Sequence, residues 1–231
     1  IEEQALDALR GLHAAGLPVI AVTGRPLGWS EPFAHAWPVA AIVPENGAVA
    51  LIRQGKAVVT EYAQDAAMRE RNARRLREVA VTVLAEIPGT ALARDSAGRV
   101  TDIAIDHGEF AQLDDTAIAQ VVAVMQREGM SATVSSIHVN GWFGDHTKLS
   151  GARWMLRRLF GRELDAERQR WVYVGDSTND QAMFGYFPLS VGVANLCDFA
   201  PALHTWPAYI TDGARGAGFA EVAARLLAAH R

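Results

Sequence analysis

One cysteine, Cys197, stands in a chain of 231 residues. It allows no internal disulfide, so the fold is not covalently stapled; it suits a reducing compartment, and a cytoplasmic location is expected. Basic residues are not in excess: 22 Lys and Arg face 26 Asp and Glu, a formal net charge of -4. No global positive field draws such a chain onto nucleic acid or an anionic membrane, and neither partner is expected. No uninterrupted apolar run reaches the ~20 residues that cross a bilayer. No secretory signal pattern, internal repeat or low-complexity linker is visible. The first residue is Ile1 rather than Met. With 50% hydrophobic and 21% charged residues, the composition excludes a disordered or collagen-like chain. The length is long for one domain and comfortable for two small ones.

Ala5, Leu6, Leu9 and Leu12 recur at helical spacing, and Gly16 follows where a C-cap belongs, so a helix is expected over residues 2–15. Apolar runs at 17–22 and 39–43 read as buried parallel strands. The first ends in Thr23-Gly24-Arg25, the second in Pro44-Glu45-Asn46-Gly47. Residues 48–52 and 57–62 flank Arg53-Gln54-Gly55-Lys56 as a hairpin. The texture then changes. A long helix over 66–87 is stopped by Pro88-Gly89, strands at 91–94 and 100–106 bracket Asp95-Ser96-Ala97-Gly98, a helix spans 113–127, and one strand spans 131–139. From Lys148 the α/β texture returns: a helix over 148–160, strands at 171–174 and 189–194, a short strand at 209–211, and a last helix over 217–229. The expected fold class is α/β. Residues 1–62 and 141–231 would form a Rossmann-like core with a parallel sheet, and residues 63–140 an inserted, smaller α+β domain.

In open α/β sheets ligands sit beyond the carboxyl ends of the strands. Thr23-Gly24-Arg25 and Gly175-Asp176-Ser177-Thr178-Asn179-Asp180 both follow apolar strands, and Lys148 opens a helix. Asp176 and Asp180 are four apart in a strand-to-helix turn, so their carboxylates can converge on one point. Such hard oxygen ligands suit Mg²⁺; an Asp that merely caps the next helix is the plainer alternative. Thr23 offers a hydroxyl, and Gly24 an open backbone N–H, to a phosphoryl oxygen. Lys148 can neutralise phosphate or keep a carboxylate ionised, though alone it would be a solvated surface lysine.

Taken in order, Val22-Thr23-Gly24-Arg25, an inserted block, Lys148, and Val172-Tyr173-Val174-Gly175-Asp176 through Asp180 resemble the haloacid dehalogenase-like hydrolases. Pro44-Glu45-Asn46-Gly47-Ala48 and Val191-Gly192-Val193-Ala194-Asn195 resemble the Cof-like, sugar-phosphatase branch, whose α+β cap sits where the middle block lies here. The resemblance implies a Mg²⁺-dependent phosphatase acting on a small phosphorylated metabolite, a sugar phosphate among the classes, as a monomer or homodimer. It implies that Thr23 and Lys148 serve catalysis, that Thr23, Gly24, Arg25, Asn46, Lys148 and Asn195 bind substrate, and that Asp176 and Asp180 serve the metal. Asn179 would support the loop.

The family's first motif, D-x-D-G-T, occurs nowhere in this sequence. Its first Asp forms the aspartyl-phosphate and its second moves the proton. In the family that motif ends a central strand, flanked by the strands that here end at Val22 and Val174. Loss of a central strand would strand two rows of backbone groups, so a strand and loop of roughly 15–25 residues upstream of Ile1 is the expectation. A phosphosugar mutase, or a non-catalytic phosphometabolite-binding relative lacking the nucleophile, are the alternatives. Of the residues where the insert rejoins the core, Trp142 and Asp145 are read as able to bind a sugar, with hinge packing as the competing role. Cys197 is read as a small packed residue.

Overall fold

The computed structural model describes residues 1–230. Helix α1, Glu3–Ala14, turns Ala5, Leu9 and Leu12 inward and ends before Gly16, whose φ of 74° lets the chain reverse into β1, Ile20–Val22. Helix α2, Leu27–Ala36, lies in a stretch to which the sequence pattern assigns no element. Its Trp29 and Phe33 continue into Trp37 as a ladder of rings 4.6 Å apart. Strand β2, Ala41–Val43, is followed by the hairpin of β3, Val49–Gln54, and β4, Ala57–Tyr62, turned at Gly55 with φ 62°.

The middle block begins with α3, Ala66–Glu86, capped by the Asp65 side chain accepting from Met68 N. Then come β5, Ala91–Leu92; β6, Asp102–Asp106; and α4, Asp115–Arg127. The single strand expected over 131–139 is two: β7, Ser131–Val134, and β8, His138–Trp142. The chain reverses there because Ser135 N donates to His138 O at 2.8 Å while Ser135 Oγ accepts from His138 N at 3.1 Å. Strand β8 also runs past the boundary expected at 140. The remaining elements are α5, Lys148–Phe160; α6, Leu164–Glu167; β9, Val172–Gly175; α7, Gln181–Tyr186; β10, Leu189–Gly192; β11, Tyr209–Ile210; and α8, Arg215–Ala229.

Three sheets result. β1 pairs parallel with β2, which continues antiparallel through β3 to β4. β9, β10 and β11 form a parallel sheet. β5, β6, β8 and β7 form an antiparallel sheet. One face of that last sheet is covered by α3 and α4, through Leu76, Val79, Val83, Val121 and Met125 against Ile105 and Val139. Helix α5 joins the mixed β1–β4 sheet to the parallel β9–β11 sheet: Met155 packs with Val43 and Ile52, and Leu156 packs with Met183 and Phe187.

Lys148 owes its place to this helix. Thr147 and Ser150 cap the first turn reciprocally. The turn sits directly on Gly47, where an added Cβ would lie 2.1 Å from Thr147 O, and Gly47 has φ 108°. Only a glycine gives both the conformation and the close approach.

Candidate active site

Strands β1 and β9 are both edges of their sheets. Every residue of each lines one apolar cavity of about 650 Å³, together with Leu9 and Leu12 of α1 and Phe219 and Val222 of α8. The edges of parallel strands are rows of hydrogen-bonding groups and are normally paired. A slot between two such edges, walled by aliphatic side chains, has the character of a strand position in a buried sheet.

The slot opens at its carboxyl end into a second, polar cavity of about 270 Å³. Val22, Tyr173, Val174, Gly175 and Asp176 line both. The floor of the polar cavity is Thr23, Gly24 and Arg25 after β1, the 175–180 loop after β9, and Lys148. Its roof is the β7–β8 turn with Ser135, Ser136, His138 and Asn140. Thr178 Oγ1 donates to Val134 O at 2.8 Å, holding roof and floor together on that side.

Asp180 organises the floor. Its Oδ1 accepts from Lys148 Nζ at 2.6 Å and Tyr173 OH at 2.6 Å, and its Oδ2 from Asp176 N at 2.9 Å and Ser177 N at 3.2 Å. A carboxylate offers about four lone-pair sites, so this one is saturated. Gly175 makes room for it, since a Cβ there would lie 2.7 Å from Asp180 Oδ2. Burial alone raises the Asp180 carboxyl, but the Lys148 ammonium, the Tyr173 hydroxyl and the backbone N–H outweigh burial and hold it below its ordinary value. The Tyr173 hydroxyl is pushed well up by burial and by the same carboxylate. Lys148 is held in place by Asp180 and by Asn179 Oδ1 at 2.7 Å.

Asp176 is the opposite case. It is exposed to the cavities, and among the described residues no other residue donates to its carboxylate. Protein crowding behind it comes first, and then the like charge of Asp180, in pushing its carboxyl up. One open carboxylate beside a phosphate-sized polar space fits Mg²⁺, which takes one or two carboxylates and completes its shell with water and phosphate. Among the described residues, no three His, Cys, Asp or Glu side chains gather as a closed metal cage.

Thr23 Oγ1 accepts from Arg25 N at 3.1 Å, leaving the hydroxyl proton for the cavity. Arg25 lines the cavity and pairs with Asp95 at 3.3 Å and Glu109 at 3.7 Å, both from the middle block. Thr23, Gly24, Arg25, Lys148, Asn179, Asp176 and Asp180 therefore meet at one cavity.

Other residues singled out in the sequence lie elsewhere. Asn46, expected to touch substrate, is buried with φ 56°, and its Nδ2 donates to Asp102 Oδ2 at 3.4 Å; it forms a joint beneath the floor. Asn195 accepts from Arg215 N at 2.8 Å and so serves the start of α8. Trp142 is buried with its Nε1 donating to His146 O, and cannot stack on a sugar. Cys197 is exposed, not packed. The pattern also missed Ser135, Ser136 and Tyr173. The turn at 135–137 was hidden by reading one strand across it, and an apolar run such as residues 171–174 gives no sign of which side chain reaches the cavity.

A family model described as haloacid dehalogenase-like hydrolase matches residues 1–82, and the resemblance read from the motifs is borne out. A solved structure from Thermoplasma acidophilum shares the fold over 97% of this chain and 89% of its own, at 15% identity and a TM-score of 0.72. The sucrose-phosphatase of Synechocystis sp., solved with sucrose and phosphate, aligns over 97% of this chain and 92% of its own, at 14% identity and a TM-score of 0.69. The C-terminal domain of trehalose-6-phosphate phosphatase from C. albicans aligns over 98% and 84%, at 13% identity and a TM-score of 0.65. At these identities the likeness is one of fold, and the α/β architecture expected from the sequence is the one observed. No curated protein sequence matches the chain.

Proposed function

We propose that this protein is a Mg²⁺-dependent phosphatase of small phosphomonoesters, sugar phosphates among them. The observation that carries the reading is the junction of the two cavities. A strand seated between β1 and β9 would end in the polar cavity, facing Thr23, Lys148 and Asp176 at once. A carboxylate delivered there would be the nucleophile: its attack on phosphorus would break the ester P–O bond and release the alcohol, and water would then cleave the aspartyl-phosphate to inorganic phosphate and the free carboxylate. The match over residues 1–82 and the phosphatases among the solved structures support the same reading.

The residues of this chain divide the work. Thr23 donates its hydroxyl, and Gly24 its N–H, to the phosphoryl oxygens, which fixes the group for in-line attack. Lys148, held by Asp180 and Asn179, sets a positive charge at the edge of that site, where the transferring group gathers negative charge. Asp176, aided by the loop that Asp180 orders, would hold Mg²⁺, which supplies charge neutralisation on the phosphoryl oxygens. The cap of residues 63–140 roofs the cavity and excludes water. Its Ser135, Ser136, His138 and Asn140 present donors and acceptors suited to the hydroxyls of a small polyol.

The test is phosphate release with Mg²⁺ from a panel of sugar phosphates, by protein expressed from its complete reading frame. Release from at least one member is expected. A folded protein that releases none overturns the reading.

A further inference from the structure

The tripeptide that receives the phosphoryl group is tied down at all three of its carbonyls. Thr23 O accepts from Asn46 N at 3.0 Å, and Arg25 O from Glu45 N at 3.0 Å. Both ties come from the core. The third comes from the cap: Gly24 O accepts from Arg99 Nη1 at 3.1 Å, across 75 positions of sequence.

Arg99 is fixed by more than that bond. Its side chain is 2% exposed and its guanidinium forks between two carboxylates of its own segment. Nη1 lies 2.9 and 3.0 Å from the oxygens of Asp102, and Nε and Nη2 each lie 3.2 Å from Asp95 Oδ1. The guanidinium stays charged despite burial, because both carboxylates favour the cation. Asp95 in turn reaches Arg25, and Asp102 accepts from Asn46 of the core and Asn140 of the cavity roof.

The Gly24–Arg25 peptide is planar, so its carbonyl and its N–H point to opposite sides. Arg99 holds the carbonyl. The N–H on the far side is the one that donates to Thr23 Oγ1. Arg99 thus sets the peptide plane, and the plane sets the lone pairs and the free proton of the Thr23 hydroxyl. Among the described residues, no neighbour in the core takes the Gly24 carbonyl instead.

From this chain of contacts we infer that Arg99 is a positioning residue of the phosphate-binding loop, fixing the Gly24–Arg25 peptide in the orientation that receives a phosphoryl group. The inference rests on the phosphatase reading, which makes Thr23 and Gly24 the phosphoryl ligands. Arg99 does not line the polar cavity. It acts through one peptide unit.

Binding of inorganic phosphate in the presence of Mg²⁺ tests this by calorimetry, with the amide resonances of Gly24 and Arg25 as a local readout. Arg99→Lys keeps the charge but not the planar fork, and it should weaken phosphate about tenfold and shift both amides. The paired variant Arg99→Met with Asp102→Asn leaves no stranded charge and should do the same, so poor folding of the first variant does not end the test. Thr101→Val is the control. It loosens the cap–core joint by removing the bond from Thr101 Oγ1 to Glu45, without touching Gly24, and phosphate affinity should hold. Wild-type protein that binds no phosphate overturns the phosphatase reading and this inference with it. Wild-type binding that both Arg99 variants match, or that Thr101→Val weakens equally, overturns the inference alone.

Discussion

Lys148 Nζ and Asp180 Oδ1 lie 2.6 Å apart, with side chains 12% and 3% exposed, and they tie the start of α5 to the loop after β9. The pair joins the two sheets where the carboxyl ends of β1 and β9 face the same cavity. Removing the cation strands a buried carboxylate, which costs about 3–5 kcal/mol. Lys148→Met should therefore lower stability by that order, measured by urea unfolding. Adding Asp180→Asn should return part of the loss, because the uncompensated charge is gone. A single variant as stable as wild type would show that the pair does not organise the floor.

Gly47 should tolerate no side chain. A Cβ would lie 2.1 Å from Thr147 O, and the φ of 108° is itself costly for an L-residue. Gly47→Ala should cost about 2 kcal/mol or more, and should displace Lys148 with the helix that carries it. Denaturant unfolding and the Lys148 side-chain resonances report the two effects separately.

Asp102 and His146 should tilt the stability profile in opposite directions. Burial first, then the Glu45 charge, pushes the Asp102 carboxyl up to about 7, against the pull of Arg99. Below its ordinary value of 3.8 the carboxyl is protonated in both states. As pH rises from 3.8 towards about 7 the unfolded chain gives up the proton that the folded state keeps, so this group's contribution falls and is gone once the folded carboxyl ionises. The slope approaches about 1.4 kcal/mol per pH unit between the two values. Asp102→Asn should abolish that slope, read from denaturation midpoints across the window.

Burial lowers His146 from 6.5 to about 4, and its buried Nε2 has no partner among the described residues. Its contribution is present above 6.5 and is lost as pH falls towards about 4, because the unfolded chain takes up the proton first. His146→Phe keeps a ring stacked on Trp142, now 5.5 Å away, and should remove this acid-side loss. In wild-type protein the two slopes oppose each other where the windows overlap. Each therefore shows as a difference: Asp102→Asn alone should gain stability with rising pH there, and His146→Phe alone should lose it.

What could be read from sequence follows the range of the contacts. Helix α5 spans the residues its pattern predicts because its inward residues and caps are all local. Strand lengths are less legible: residues 17–22 look uniformly apolar, yet only Ile20–Val22 pairs with β2, which has three residues to offer. Thr23, Lys148 and Asp176 were legible because strand ends and helix starts carry local signs. The joint under the cavity was not. Glu45 accepts from Thr101, 56 positions away, and Arg99 reaches Gly24 across 75, and no periodicity announces such pairs. Asn46 and Asn195 were misplaced for the same reason, since a polar residue in a turn looks alike whether it faces ligand or backbone.

Asp176 is the most direct test of the proposed chemistry. Asp180 is saturated by four donors, so the open carboxylate of the floor is that of Asp176. Asp176→Asn keeps the size and removes the charge. It frees no buried partner, because no other described residue donates to that side chain, and it relieves the like charge of Asp180, so stability should hold or rise. Mg²⁺-dependent phosphate release should fall by a hundredfold or more, on the order of the loss of one preorganised electrostatic contact. Loss of the Mg²⁺-induced rise in melting temperature should accompany it. A variant that keeps both the turnover and the metal-induced shift would move the metal site away from this loop. One that keeps the shift but loses turnover would place Asp176 in the reaction and the metal elsewhere.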